Sequence, residues 1–148
     1  MKSLKEKILL DTSFLLPLFN VDIGIEDFND LFPRLIRQFE ASYSPLSLVE
    51  AKWVLLRLRR RGIEYRLEDY IDGLRYILNN NELHRIDVTT PEVEEMADKY
   101  METIQDYFDR MLYASSLVNE MKFLTLDNAL LKLENTISWN KIRKILMR

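Results

Sequence analysis

Ile8-Leu9-Leu10-Asp11-Thr12-Ser13 is the stretch that decides how this chain is read. Three apolar residues stop at a carboxylate, and two hydroxyls follow it. A run this short, opening on a β-branched residue and ending on turn formers, predicts a buried strand. In an open α/β sheet, ligands bind beyond the carboxyl ends of the strands, so Asp11 stands where a site would form. Asp in this place also caps a following helix, and one carboxylate can do both.

Outward from that strand, Ser13 to Phe19 predicts a short helix bent or started near Pro17, and Asp22 to Gly24 a break. Phe28, Leu31, Phe32, Leu35, Ile36 and Phe39 recur at helical spacing, with a kink or fresh start expected at Pro33. Ala41 to Tyr43 reads as a second strand. Ser44-Pro45 is a helix start, and Gly62 ends that helix after about Arg61. Leu67 to Leu78 is a further amphipathic helix. Leu83, Ile86 and Val88 suggest a third strand, and Thr90-Pro91 starts a helix that carries Val93, Met96 and Tyr100. Asp106 or Asp109 opens the next helix, with Met111, Leu112, Ala114, Leu117 and Val118 as its apolar members. Met121 to Leu126 is the fourth strand and ends at Asp127. Ser138 caps a helical tail. Strands alternating with helices favour a parallel sheet covered on both faces, within one domain over residues 1–148.

Composition narrows the chemistry. With 47% hydrophobic and 30% charged residues the chain reads as soluble and globular. It has no cysteine, which excludes a disulfide framework and a thiolate metal site and points to a reducing cytoplasm. Its single histidine, His84, excludes a zinc hydrolase built on several histidines, and a Ser-His-Asp enzyme unless His84 is the base. His84 itself reads as a neighbour of the third strand without a role. A net charge of -3 shows no global bias toward nucleic acid, so such a partner would need a local basic patch. Lys2, Lys5 and Lys7 before Ile8 to Phe19 imitate a signal peptide, but Asp11, Thr12 and Ser13 interrupt the apolar run and no small-residue cleavage site follows. No apolar run approaches the roughly 20 residues of a membrane helix.

Three more acids join Asp11. Glu50 could close a capping box from Ser47, yet Pro45 favours the earlier start, which puts Glu50 in the second turn without a capping role. Asp106 and Asp109 stand three apart and cannot both be the N-cap; if Asp106 caps, Asp109 falls at the third helical position. Asp127 follows a strand, as Asp11 does, and could cap a short helix from Asn128 to Leu133. Two strand ends and two helix starts thus bring acids to one edge of the sheet. Close carboxylates repel, and hard divalent cations such as Mg2+ or Mn2+ offset that repulsion in all-oxygen sites.

Asp11 in Leu-Leu-Asp-Thr-Ser, Glu50 in Ser-Pro-Leu-Ser-Leu-Val-Glu, Asp109 in Phe-Asp-Arg-Met-Leu-Tyr-Ala-Ser-Ser and Asp127 in Phe-Leu-Thr-Leu-Asp resemble the four acid motifs of PIN-domain ribonucleases, closest to the small VapC-like toxins. The resemblance spans nearly the whole chain. It implies a three-layer α/β/α sandwich with a Rossmann-like central parallel sheet, and Mg2+- or Mn2+-dependent cleavage of RNA. It makes Asp11, Glu50, Asp109 and Asp127 the metal-binding and catalytic acids, supported by the hydroxyl after the first acid, Thr12 or Ser13, and by Thr125. It also implies a homodimer silenced by a small antitoxin. Two departures stand out: the last strand is hard to find, since Thr136 to Trp139 is short, and Asp106 is an extra acid.

Arg57, Arg59, Arg60 and Arg61 crowd the end of the Glu50 helix. Glu50, Val54, Arg57 and Arg61 share a helical stripe, so Arg57 and Arg61 read either as RNA-phosphate contacts or as a solvated helix end that favours cations. Two rivals to a nuclease remain. One is a catalytically silent PIN-like module that binds RNA or protein. The other is a phosphoryl-transfer enzyme or receiver domain. The phosphatase form wants a second Asp where Ser13 stands, and the receiver form wants an acid pair close before its phospho-accepting Asp.

Overall fold

The computed structural model describes residues 4–148; Lys2 of the signal-like start lies outside them. Strand β1 (Lys7–Leu10) is central. It is followed by two 3-10 turns (Thr12–Phe14 and Leu16–Phe19) in place of the single short helix expected. Then come α1 (Phe28–Gln38), β2 (Glu40–Tyr43), α2 (Pro45–Arg60), α3 (Leu67–Asn79) and β3 (Leu83–Arg85). The second half contributes α4 (Pro91–Asp98), α5 (Tyr107–Val118), β4 (Lys122–Leu124), β5 (Thr136–Ile137) and α6 (Trp139–Leu146). Five strands form one parallel sheet in the order β3-β2-β1-β4-β5.

Alternation along the strands builds the three layers. Ile8 and Leu10 point into one core with Phe14, Phe28, Leu35, Leu48, Leu55 and Ile77, so that face takes α1, α2, α3 and α6. Leu9 and Phe123 point the other way, against Leu112, Tyr113 and Leu130. There α4 and α5 close the second face, joined through Val93, Ala97, Met111 and Ala114. Side chains that alternate at a period of two and are buried on both sides produce the nearly continuous apolar run from which β1 was read.

Several expectations are corrected here. Helix α1 runs through Pro33 as one element, without a fresh start. Pro33 is exposed, so the carbonyl it leaves unpaired faces water, while Leu31, Phe32, Leu35 and Ile36 hold the helix to the core. The third strand stops at Arg85; one further bond, from the Ile86 N–H to the Tyr43 carbonyl, extends its pairing, and Val88 is exposed. The elusive last strand exists as β5. Asn135 adopts a left-handed backbone at φ 67°, its amide donates to the Met121 carbonyl (2.6 Å), and Tyr113 fastens the Glu134 carbonyl (2.7 Å). Two residues are too few for a periodic pattern, and these side-chain bonds carry the geometry instead. No helix among the described residues is long and apolar enough to cross a membrane.

The helix caps follow their sequence signals. Ser44 accepts from the Leu46 N–H (3.1 Å), Thr90 from Val93 (3.1 Å) and Ser138 from Lys141 (3.2 Å). In α3 one glycine is there for space. A Cβ on Gly73 would stand 2.4 Å from the Leu18 carbonyl oxygen and 2.5 Å from the Phe19 ring. Intrinsic propensity alone favours alanine in a helix interior by about 0.5–1 kcal/mol. The clash outweighs that preference, because overpacking a tight contact typically costs about 1–3 kcal/mol. Gly73→Ala should therefore lower the melting temperature, as thermal unfolding followed by circular dichroism will show; a rise would mean α3 can slide freely off the Leu18–Phe19 turn.

Candidate active site

The strand order places a topological switch between β1 and β4: the chain leaves β1 toward β2 and β3 on one side and returns to β4 and β5 on the other. Beyond that junction lies a pocket of about 300 Å3 lined by Asp11, Thr12, Ser13, Glu50, Asp109 and Asp127, with Leu16, Val54 and Leu126 at its sides. All four acids read from the sequence meet in it. The crevice at such a switch is where ligands of open α/β sheets bind.

Each acid is delivered by a short local signal. Asp11 is 7% exposed and continues β1; its N–H donates to the Leu124 carbonyl (2.9 Å), which ties it to β4. One carboxylate oxygen accepts from the Thr12 N–H (2.7 Å) and caps the first 3-10 turn; the other accepts from the Thr125 hydroxyl (2.7 Å). Thr125 in turn accepts from the Asp127 N–H (3.1 Å), so one hydroxyl links the acids at the two strand ends. Asp127 turns one oxygen to the N–H groups of Ala129 (2.8 Å) and Leu130 (3.3 Å). Capping and a place in the pocket coexist at both positions.

Glu50 projects from the second turn of α2, which Ser44 caps. The capping-box alternative is thereby removed: Glu50 instead accepts from the Thr12 hydroxyl, and the buried Ser47 Oγ lies 3.0 Å from the same Thr12 oxygen. One proton on Thr12 serves Glu50, leaving its lone pairs for Ser47. Between the two candidate hydroxyls, geometry gives this contact to Thr12; Ser13 lines the pocket wall. Of the apolar residues beside Glu50 on α2, Leu48 is buried while Val49 and Trp53 are exposed.

In α5, Asp106 is the N-cap and accepts from the Asp109 N–H (2.9 Å); Asp109 is the third helical residue. In the sequence Asp106 stood only as a possible cap and an extra acid. Its carboxylate nonetheless joins Glu50 and Asp109 in a group whose ligand oxygens lie within 4.8 Å of one another. The i, i+3 spacing was the available signal: it puts both acids on one face of the first turn.

Electrostatics mark the crowding. Burial pushes Asp11 up to about 6, against the lowering effect of the Thr125 and Thr12 hydrogen bonds, with Glu50 and Asp127 adding repulsion. Burial and then the charges of Asp11, Asp106, Glu50 and Asp127 push Asp109 up to about 7. Glu50 is raised by burial and by Asp106, opposed by the Thr12 hydroxyl and by Arg57. Arg57 and Arg61 are exposed, Arg57 near enough to act on Glu50, and Arg61 is the residue that ends α2.

A parallel sheet with a pocket at its switch point whose ionisable groups are all carboxylates defines the class: an α/β/α protein whose site is built from oxygen donors. The chain belongs to the PIN domain family, whose model matches residues 8–135. Among solved structures it is similar to a protein from Pyrobaculum aerophilum, PAE2754 (16% identity, 97% of this chain and 98% of that one, TM-score 0.66). It is also similar to a toxin-antitoxin complex from Klebsiella pneumoniae (13%, 88% and 95%, TM-score 0.59). A third similar fold is VapC20 of Mycobacterium tuberculosis, a Sarcin-Ricin loop cleaving toxin (18%, 82% and 90%, TM-score 0.57). No curated protein matches the chain significantly.

Raised carboxyl values have a consequence for stability. Unfolded Asp titrates near 3.9, so between about pH 4 and pH 7 the folded protein holds more protons than the unfolded one. Stability then falls as pH rises through that window. In EDTA, the melting temperature should climb as pH is lowered from about 8 toward 5. Asp109→Asn should flatten that slope and raise the melting temperature at the alkaline end. A slope that this substitution leaves untouched would mean the carboxylates do not set it.

Proposed function

We propose that this protein is a Mg2+- or Mn2+-dependent endoribonuclease of the PIN type that hydrolyses RNA phosphodiester bonds in the cytoplasm. The observation that carries the reading is the meeting of Asp11, Glu50, Asp109 and Asp127 in one pocket at the β1–β4 switch. The donor set fits a hard divalent cation: oxygen ligands alone, mutually repelling, with Asp11 and Asp109 held above the usual carboxylate range mainly by burial. When bound, such a cation lowers the pKa of a water and neutralises charge on the attacked phosphate. The chain's own residues do the positioning. Thr125 and the Thr12 N–H hold Asp11, the Thr12 hydroxyl holds Glu50, and Asp106 fixes the first turn from which Asp109 projects. Arg57 and Arg61 extend the Glu50 stripe and would meet phosphates flanking the cleaved bond.

A partner belongs to the same reading. The Klebsiella pneumoniae neighbour is a toxin-antitoxin complex and the Mycobacterium tuberculosis neighbour is a Sarcin-Ricin loop cleaving toxin. By that likeness this chain is the toxin of such a pair, a homodimer held silent by a small antitoxin.

Two measurements test it. Cleavage of a panel of structured RNAs should require Mg2+ or Mn2+ and stop in EDTA; Asp11→Asn and Asp109→Asn should fold and fail to cleave. Asp106→Asn keeps a competent cap, costs about 1 kcal/mol or less, and should retain cleavage at a higher Mn2+ requirement. RNA binding without metal-dependent cleavage would leave the silent-module alternative standing. Separately, Arg57→Ala with Arg61→Ala should weaken RNA binding across sequences and reduce the salt slope by about one unit per lost phosphate contact. An unchanged slope returns both arginines to the role of a solvated helix end.

A further inference from the structure

Trp53 stands one turn beyond Glu50 on α2, 62% exposed, whereas the chain's other tryptophan, Trp139, is 6% exposed. We propose that Trp53 is the stacking platform for an unpaired base next to the phosphate that enters the carboxylate pocket, a proposal that rests on the ribonuclease reading above.

The geometry of α2 sets the arrangement. Three residues advance about 4.5 Å and turn about 60° from Glu50 to Trp53; seven advance about 10.5 Å to Arg57 and return to nearly the same face. An acid of the pocket, an open indole and a guanidinium therefore follow one another along one stripe. Leu46, one turn earlier, packs on the cluster that holds Met111 and Ala114 of α5, and Glu50 meets Asp106 and Asp109 at that helix's start. So α2 runs antiparallel past α5, and Trp53 reaches beyond the beginning of α5. Tyr107, the first residue of α5, is exposed as well, with the Arg110 guanidinium 5.5 Å from its ring centre.

Apolar residues exposed singly are ordinary on any surface. The position and the charges beside it distinguish this one. Val49 opens the same exposed flank, and Arg57, Arg60 and Arg61 continue it. A purely apolar partner has no use for that run of cations, while a polyanion with π-faces uses both parts. Bases stack on Trp, Tyr and Phe only when unpaired, and such stacking tolerates any sequence. The occupant this face fits is a single RNA strand, a loop or an end, and not a duplex.

Because Trp139 is buried, a change in tryptophan fluorescence on adding RNA reports mainly on Trp53. The test titrates the full-length protein, in EDTA to stop cleavage, with a short single-stranded RNA of mixed sequence and with the same RNA as a duplex. The single strand should quench the fluorescence and the duplex should not. Trp53→Ala should weaken single-strand binding roughly ten-fold with the salt slope unchanged, since no phosphate contact is lost, and Trp53→Phe should restore most of the affinity. Wild-type affinity and an unquenched signal in these titrations would overturn the stacking role, while the ribonuclease reading would survive if metal-dependent cleavage persisted. A Trp53→Ala protein that binds RNA normally but sediments at half the mass would also overturn it, because Trp53 would then cover a second copy of the chain. Cleavage that is absent from the wild type in every metal would instead sink the reading on which this inference rests.

Discussion

The parallel pairing of β1 with β4 is the constraint from which the rest of the molecule follows. It sets Leu9 against Phe123 and Leu10 against Leu124, and the Asp11 N–H closes it by donating to the Leu124 carbonyl. Residues 114 apart in sequence are thereby brought to hydrogen-bond distance, Thr125 donating to Asp11. Parallel neighbours cannot be joined by a tight turn; the connection must cross the sheet. That crossing carries β2, β3 and the helices around them before the chain returns, so the order β3-β2-β1-β4-β5 and the crevice at its switch point arise together. A slip of one residue in this register would turn Leu9 and Leu10 to the wrong layers and pull Asp11 out of the pocket.

Holding that register means burying charge. Asp11 is nearly inaccessible, and desolvation is the largest influence raising both it and Asp109. Hydroxyls offset part of the cost: Thr125 for Asp11, Thr12 for Glu50, with Ser47 behind Thr12. They orient the oxygens without neutralising them. What results is a pocket whose carboxylates are already oriented by hydrogen bonds while their charges oppose one another.

How far all this was legible depended on the range of the interactions. β1, the Ser44-Pro45 start and the Gly62 stop are settled by a few adjacent residues, and each stood in the sequence as it stands in the fold, whereas the choice between Asp106 and Asp109 as cap was left to the structure. The order of the acid motifs disclosed the family. Features that depend on distant partners did not show. Strand β5 exists through Asn135 and through the reach of Tyr113 to the Glu134 carbonyl. The Leu16–Phe19 turn is held by Tyr65, whose hydroxyl donates to the Phe19 carbonyl (2.6 Å). Pro33 was a strong local breaker overruled by the buried face of α1. Asp106 stood in the sequence as a possible cap and an extra acid without a place in the site, although a carboxylate has two oxygens and a cap engages one of them.

Helix ends finish the electrostatic design. Asp106 and Asp109 occupy the first turn of α5, where unpaired N–H groups and the positive end of the helix dipole favour anions. Asp11 and Asp127 likewise accept from the free N–H groups of the turns they open. Glu50 is the exception: it sits inside α2 with no helix terminus to favour it, and its hydrogen bond comes from the Thr12 hydroxyl of another element. That dependence ties α2 to the β1 end through Thr12 and fixes the direction in which α2 leaves the pocket. Its far end carries Arg57, Arg59, Arg60 and Arg61, matched to the negative end of the same dipole. One helix thus runs from the acidic pocket to a cationic tip, so the charge along it changes sign between the carboxylates and the guanidiniums.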